Sequence, residues 1–220
     1  GKFHLHLLQR IIMLRTYLTQ RREDKMATNA VQEQGNSNEN TSADFQTFLE
    51  HGIQTFSLMQ QFCKGHNAAL QDLLRHQPTH IGNINLLKES IDILYFMCST
   101  SAHVTALESE EVSVVDAILE FFAEACLGPA PNNQDEIVKS DAIVAVKNII
   151  NVKGVNTAVL AVKVLCSLFE GRKDTQLAEL LATKIEPVGS LLNPLKKELE
   201  RNVEQMLTSK KKDLDKEENQ

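Results

Sequence analysis

The chain has 220 residues, 42% of them hydrophobic, and a formal net charge of −6. This length and apolar content predict one or two domains with a substantial core. The acidic balance excludes a broad basic surface, so we expect no nucleic acid partner. No apolar run approaches the roughly 20 residues that cross a bilayer, so we expect no membrane span in this chain.

The first predicted helix spans residues 1–22. Its apolar residues fall on one stripe: Phe3, Leu7, Ile11, Leu14 and Leu18. Arginines lie elsewhere on the helix, a pattern typical either of a helix on a membrane surface or of a packed helix. The modest aromatic content favours a packed helix, which we expect to end a preceding helical unit. Because the chain begins with Gly1 inside a helical pattern, we expect a fragment of a longer protein.

Residues 23–43 are rich in Asn, Gln, Glu, Ser and Thr, and we predict a flexible polar linker there. After it, Ser42 or Asp44 is predicted to cap a helix that breaks at Gly65. A second helix follows the break. Apolar residues on the faces of these two helices are Phe45, Phe48, Leu49, Ile53, Phe56, Met59, Phe62, Cys63, Leu70, Leu73 and Leu74.

Apolar spacings of three and four residues predict further helices over 84–98 and 112–126. Gly128 and Pro129 are expected to stop the second, and a loop is predicted over 130–135. Residues 137–150 are rich in β-branched side chains, which allow a strand, but their spacing favours a helix. Helices are also predicted over 155–169 and 174–184, and a last one begins at Pro187.

Nothing in the chain matches a recognisable catalytic motif, so we expect no enzyme. The seven histidines are not paired with a serine or cysteine nucleophile, and there is no glycine-rich phosphate loop. Glu108, Glu110 and Glu111 precede a predicted helix, where carboxylates favour the positive end of its dipole. The four cysteines lie far apart on apolar faces and are predicted to be buried and reduced.

Four blocks in fixed order carry a resemblance to a known family. They are CKGHN with the helix ending at Gln77, GNINLLKESIDILYFMCST at 82–100, AEACLGPAPNNQ at 123–134, and VLCSLFEGRKD at 164–174. Together they resemble the associated homology domain of inositol trisphosphate receptors and ryanodine receptors, the intracellular calcium-release channels, over roughly residues 45–185. The second block and the EGRKD ending are more similar to the inositol trisphosphate receptor branch.

The resemblance implies an all-α fold, an armadillo-like stack of antiparallel helices on the cytosolic side of the endoplasmic reticulum membrane. The division of the chain that follows is a helix at 1–22, a linker at 23–43, the helical associated homology domain at 44–208 and a charged tail at 209–220. The partners implied are other domains and subunits of a homotetrameric channel.

The resemblance also implies a calcium site between this region and a C-terminal segment near the pore. Glu124 matches one family glutamate and His66 matches a supporting histidine, but Lys64 and Leu127 replace a glutamate and a glutamine. Calcium prefers six to eight oxygen ligands, and an ammonium in place of a carboxylate opposes its binding. We therefore expect a weakened or lost calcium site, with a Lys64–Glu124 ion pair as one substitute. From the residues alone, a capping or packed role for His66 is the simpler interpretation.

The predicted function is a regulatory and coupling segment of a ligand-gated calcium-release channel, which transmits ligand-induced movement to the pore. The alternative is a soluble helical-repeat adaptor that binds partner helices or peptides. The two differ in whether pore helices follow on the same polypeptide.

Overall fold

A computed structural model describes residues 2–30, 39–77, 83–128, 130–152, 154–173 and 175–185. Within these ranges the chain forms ten α-helices and no β-strand. The helices are α1 (Lys2–Ala30), α2 (Glu39–Cys63), α3 (Ala68–Leu73), α4 (Leu86–Cys98), α5 (Ser101–Thr105), α6 (Ser109–Cys126), α7 (Pro131–Lys139), α8 (Ala142–Val152), α9 (Val155–Ser167) and α10 (Thr175–Ile185). None of these helices is long and apolar enough to cross a membrane.

The long helices pack in two rows. One row runs α2, α6, α9, and the other runs α1, α4, α8, α10. Contacts of α1 with α2, α4 with α6, and α8 with α9 join the rows, while the short helices lie at the turns. The predicted all-α fold, an armadillo-like stack of antiparallel helices, is confirmed.

One hydrophobic core runs through the stack, because each middle helix has apolar residues facing several neighbours. Phe56 of α2 and Phe121 of α6 are fully buried, with ring centroids 6.4 Å apart. Helix α1 packs closely against α2 at Gly52, where a Cβ would lie 2.7 Å from Leu14 Cδ2. A larger residue at position 52 would therefore require the Leu14 side chain to move.

Helix α1 packs against α2 and α4 and buries four residues of its predicted apolar stripe in their core: Leu7, Ile11, Leu14 and Leu18. Phe3, the first residue of the stripe, is 43% exposed. The helix continues beyond residue 22 to Ala30, and α2 begins at Glu39, so both ends of the 23–43 segment are helical. The expected caps Ser42 and Asp44 lie inside α2, so that prediction was wrong. Composition could not show that contacts with distant residues hold the end of α1, as described below.

The predicted loop over 130–135 was also wrong, because α7 begins at Pro131. Proline suits the first turn of a helix, where its missing N–H has no partner to lose. The β-branched stretch after it is helical, as its spacing predicted, and is divided between α7 and α8. The helix predicted from Pro187 and the tail at 209–220 lie outside the described residues.

Three of the four cysteines are buried as predicted, but Cys166 is exposed. The stripe that contains Cys166 and Val159 lies on the outer side of α9, where Val159 is 52% exposed. Apolar periodicity identified the helix but could not show which of its two apolar stripes meets a neighbour.

Candidate functional site

The CKGHN corner joins α2 to α3 through two residues of left-handed backbone. Helix α2 ends at Cys63, and the φ angles of Gly65 and His66 are +82° and +55°. The Asn67 side chain then accepts hydrogen bonds from the backbone N–H groups of Ala69 and Leu70, at 3.1 and 3.2 Å. Glycine adopts this conformation freely, whereas His66 does so at a cost of about 1 kcal/mol or more. The corner is therefore a helix stop followed directly by an N-cap.

His66 is held against the turn that follows α6. A Cβ on Gly128 would lie 2.9 Å from the His66 Cβ, and the φ angle of Gly128 is +74°. Both observations exclude a side chain at position 128. The contact brings the first and third sequence blocks together, and the His66 ring itself is exposed at the surface.

Glu124 lies in the last turn of α6, and its side chain is 14% exposed. Its Oε1 atom lies 3.3 Å from Nζ of Lys163, on α9. The expected Lys64–Glu124 pair is not formed: Lys64 is exposed, and within the described ranges it has no ion pair. Lysine 163 thus takes the position that the sequence analysis assigned to Lys64.

Three side-chain amides cap the end of α6, and we call Gln71, Asn133 and Gln134 the amide clasp. The last four carbonyls of a helix have no partner inside it. Gln71 Nε2 donates to the carbonyls of Glu124 and Leu127, at 2.9 and 2.8 Å. Asn133 Nδ2 donates to Ala125 O at 3.0 Å, and Gln134 Nε2 donates to Cys126 O at 3.1 Å. Each of the four carbonyls from 124 to 127 therefore has a donor.

The amide clasp also ties separate helices together. Gln134 Nε2 lies 3.0 and 2.9 Å from the carbonyls of Ser167 and Glu170, at the end of α9. Asn133 Nδ2 reaches the Gln71 carbonyl, 3.2 Å away in α3. All three clasp residues are buried, and buried hydrogen bonds of this kind hold elements in one arrangement. These hydrogen bonds thus connect α3, the end of α6 and the end of α9.

Polar residues at the end of the first block and at the start of the second block have similar structural roles. Gln77 bonds the backbone of Ile84 with both ends of its amide, donating to the carbonyl and accepting from the N–H. Asn83 donates to Arg75 O, and Asn85 caps α4 by accepting from the Lys88 N–H. These amides fix the chain on both sides of residues 78–82.

The electrostatics of the corner do not fit a calcium ion with the side chains as they stand. Calcium prefers several carboxylate ligands, whereas Glu124 is already paired with the ammonium group of Lys163. Lys64, which precedes His66 in the corner, adds a second positive charge. In the described part of the chain, no group of three or more His, Cys, Asp and Glu residues is arranged to hold a metal. Burial, and then the Glu124 charge, raises the pKa of Cys63 to about 12, so this thiol is protonated at neutral pH.

The architecture and the blocks agree with a comparison against protein families. The family model described as RyR and IP3R Homology associated matches residues 46–150. This chain carries a RyR and IP3R homology associated domain. The match supports the inositol trisphosphate receptor and ryanodine receptor family domain that the sequence blocks predicted.

The matched part of the homology domain runs from α2 to α8 and includes the corner, Glu124 and the amide clasp. The fourth block, at 164–174, lies beyond it. Lys163 also lies outside the matched residues, on α9. The cation that pairs with Glu124 is therefore supplied from beyond the part of the chain that identifies the family.

His66 lies against Gly128, in the turn after the helix end that carries Glu124, and the assignment of both residues to a calcium site stays a prediction. No sequence pattern pointed to Lys163 or to the structural role of Gln71. Lys163 gave no local signal, because 39 residues separate it from Glu124. Asn133 and Gln134 were visible in the third block, but only the fold shows that they cap a helix end.

Proposed function

We propose that this chain is a non-catalytic regulatory and coupling segment of an intracellular ligand-gated calcium-release channel. In this proposal it lies on the cytosolic face of the endoplasmic reticulum membrane and packs against other domains and subunits of a homotetramer. Its task is to pass ligand-induced movement toward the pore. The second sequence block favours the inositol trisphosphate receptor-like branch.

The observation that carries this proposal is the amide clasp. A segment that transmits movement must keep its helices in register, because a loose stack would absorb the displacement. The clasp fixes α3, α6, α7 and the end of α9 relative to one another through buried hydrogen bonds. The single amide of Gln134 bonds the C-terminal ends of both α6 and α9.

The test is Gln134→Leu in the full-length protein, in membranes from the calcium store. We expect ligand-evoked calcium release to fall while ligand binding at its own site is unchanged. Gln46→Leu is the matched control, because Gln46 is exposed on α2 and bonds only Glu50 within the helix. Normal release from a correctly assembled Gln134→Leu channel would contradict a coupling role for the clasp.

We further propose that calcium sensing at this corner is weakened. Lys64 replaces a carboxylate expected from the family, and the Lys163 ammonium already neutralises Glu124. Restoring the carboxylate with Lys64→Glu, alone and with Lys163→Met, is expected to increase calcium sensitivity of the channel, most in the double variant. No gain in either variant would contradict this proposal and leave the coupling role untouched.

The adaptor alternative is supported by the outer face of α1. Leu5, Ile12 and Met13 are each more than 40% exposed on this face, where a partner helix would bury them. The size of the native polypeptide and its partition between membranes and cytosol separate the two functions. A small soluble product would favour the adaptor, and a large membrane-bound product would favour the channel.

A further inference from the structure

A cavity of about 220 Å³ opens between the C-terminal part of α1 and the helices α4, α5 and α6. Its walls are mostly apolar and include Leu18, Phe96, Met97 and Leu107. Met97 and Leu18 are buried at its base, and Ala106 is exposed at its rim. Cavities of about 150 Å³ with apolar walls hold a benzene molecule, so this one has room for a ring with a small substituent.

Arg22 is the distinctive polar group in this cavity. Its guanidinium stacks on the Phe96 ring, 3.9 Å from the centroid, and Nη1 donates to Phe96 O at 2.8 Å. These contacts fix the side chain while occupying one of its five N–H groups. Among the residues that the structure describes, Arg22 has no carboxylate within ion-pair distance, although burial lowers its pKa.

The neighbouring charges are already matched to one another. Lys25 Nζ lies 2.8 Å from Glu108 and 3.8 Å from Glu111, and Arg21 also pairs with Glu108. Glu111 lines the cavity, but one of its oxygens accepts the Glu108 backbone N–H at 2.9 Å. His103 also lines the cavity, and burial followed by the Arg22 charge lowers its pKa, so it is neutral at pH 7. The Glu111 charge also acts on Arg22, but among the described residues no carboxylate lies within ion-pair distance of its guanidinium.

We propose that this cavity is a binding site for a small organic anion, with a carboxylate on Arg22 and an apolar ring against Phe96 and Leu107. A half-buried cation beside apolar walls favours a ligand that is charged at one end and apolar at the other. Methionines at positions 26 and 97 allow the walls to adjust to ligand shape. This site is separate from the corner at Glu124, and it does not depend on the proposed coupling function.

The test uses the full chain, isotopically labelled, with 4-fluorobenzoate as the probe and neutral 4-fluorobenzyl alcohol as its matched comparison. Saturable shifts are expected in the amide signals of Arg22, Ala106 and Leu107. A hydrogen-bonded ion pair contributes about 1.5–3 kcal/mol, so Arg22→Gln should raise the Kd for the benzoate roughly tenfold or more. The Kd for the alcohol should not change.

Two further variants separate the site from non-specific binding. Arg10→Gln removes an exposed arginine from another face of α1 and should leave both dissociation constants unchanged. Ala106→Trp adds bulk at the rim without disturbing the core and should abolish binding of both probes. Benzoate binding that survives both Arg22→Gln and Ala106→Trp, or no saturable shift around the cavity in the unmodified chain, would overturn the proposal.

Discussion

Lys163 Nζ and Glu124 Oε1 lie 3.3 Å apart and join α9 to the last turn of α6. The carboxylate is largely buried, whereas the lysine is 45% exposed. A largely buried carboxylate loses most of its hydration, so the ammonium stabilises it more than it would stabilise an exposed partner. The contact is thus an ion pair between two helices, and it places the positive charge of Lys163 beside the only glutamate that this corner shares with the family pattern.

We expect Lys163→Met to lower the free energy of unfolding by about 1 kcal/mol, because it leaves the Glu124 charge without its partner. A double-mutant cycle with Glu124→Gln, followed by urea unfolding, measures the coupling. Lys88 and Asp92 supply the control cycle, since this pair lies on the surface of one helix and should couple by only about 0.3–0.5 kcal/mol. Equal coupling energies in the two cycles would show that burial of Glu124 does not strengthen its ion pair with Lys163.

Gln134→Ala is expected to destabilise the protein by about 2–4 kcal/mol. The substitution leaves three carbonyls, at Cys126, Ser167 and Glu170, without their amide donor, and two of them are buried with it. Chemical unfolding gives the loss directly. The same change at exposed Gln46 should cost less than about 0.5 kcal/mol. If Gln134→Ala lowers the free energy of unfolding as little as Gln46→Ala does, water must satisfy the three carbonyl groups in place of the Gln134 amide.

Gly128→Ala should cost more than Gly65→Ala, although both residues have positive φ angles. At either site, alanine in the left-handed conformation costs about 1 kcal/mol relative to glycine. Only at position 128 does the added Cβ meet another atom, the His66 Cβ at 2.9 Å, whereas Gly65 has open space. The difference between the two free energies of unfolding isolates the steric contact. Pairing Gly128→Ala with His66→Gly should recover part of the loss.

The charged end of α1 predicts a pH dependence of stability. The Lys25 hydrogen bond, with support from Arg21, lowers the pKa of Glu108 below its ordinary value of 4.5, although burial opposes this. A carboxyl with a lowered pKa in the folded state contributes stability above its unfolded pKa and loses it as the pH falls through the folded pKa. Glu108→Gln should therefore flatten the fall in unfolding free energy below pH ~4.5, by a few tenths of a kcal/mol, because the pair is partly exposed.

That comparison needs a carboxylate without such a role as its reference. Glu179 is exposed on α10, and Glu179→Gln should leave the acid limb of the stability profile unchanged. An identical profile for the unmodified chain and Glu108→Gln would contradict the contribution of the Lys25 and Arg21 contacts.

Thiol labelling should distinguish Cys166 from the other cysteines. Cys63 and Cys126 are buried, and burial raises the pKa of each thiol, so neither supplies a reactive thiolate in the folded protein. Cys166 is exposed on α9 and should react fast with a disulfide reagent at pH 8. We expect one fast equivalent in the folded chain and the remaining thiols only on unfolding. Removal of the fast phase by Cys166→Ser confirms the assignment.

The amino-acid sequence determined the helices that have a strong apolar period, such as α4 and α6, and the family to which the domain belongs. Both are local properties: a helix face repeats every few residues, and the CKGHN and GPAPNNQ blocks are short. The sequence also located the stop at Gly128, because glycine followed by proline ends a helix wherever it occurs. The start of α2 and the helical state of residues 131–135 were predicted wrongly. In the second case, Asn133 and Gln134 bond carbonyl groups that lie far away along the chain.

Tertiary structure alone decided which residue neutralises Glu124, which stripe of α9 meets the core, and where the amides of Asn133 and Gln134 donate. Many of these partners lie far apart along the chain: 39 residues separate Glu124 from Lys163, 62 separate Asn133 from Gln71, and 33 separate Gln134 from Ser167. Hydrogen bonds and ion pairs act over a few ångströms, so they depend on the register between helices, which no local pattern encodes. Burial of apolar faces stabilises the stack of helices, and the stack determines which polar groups come within bonding distance.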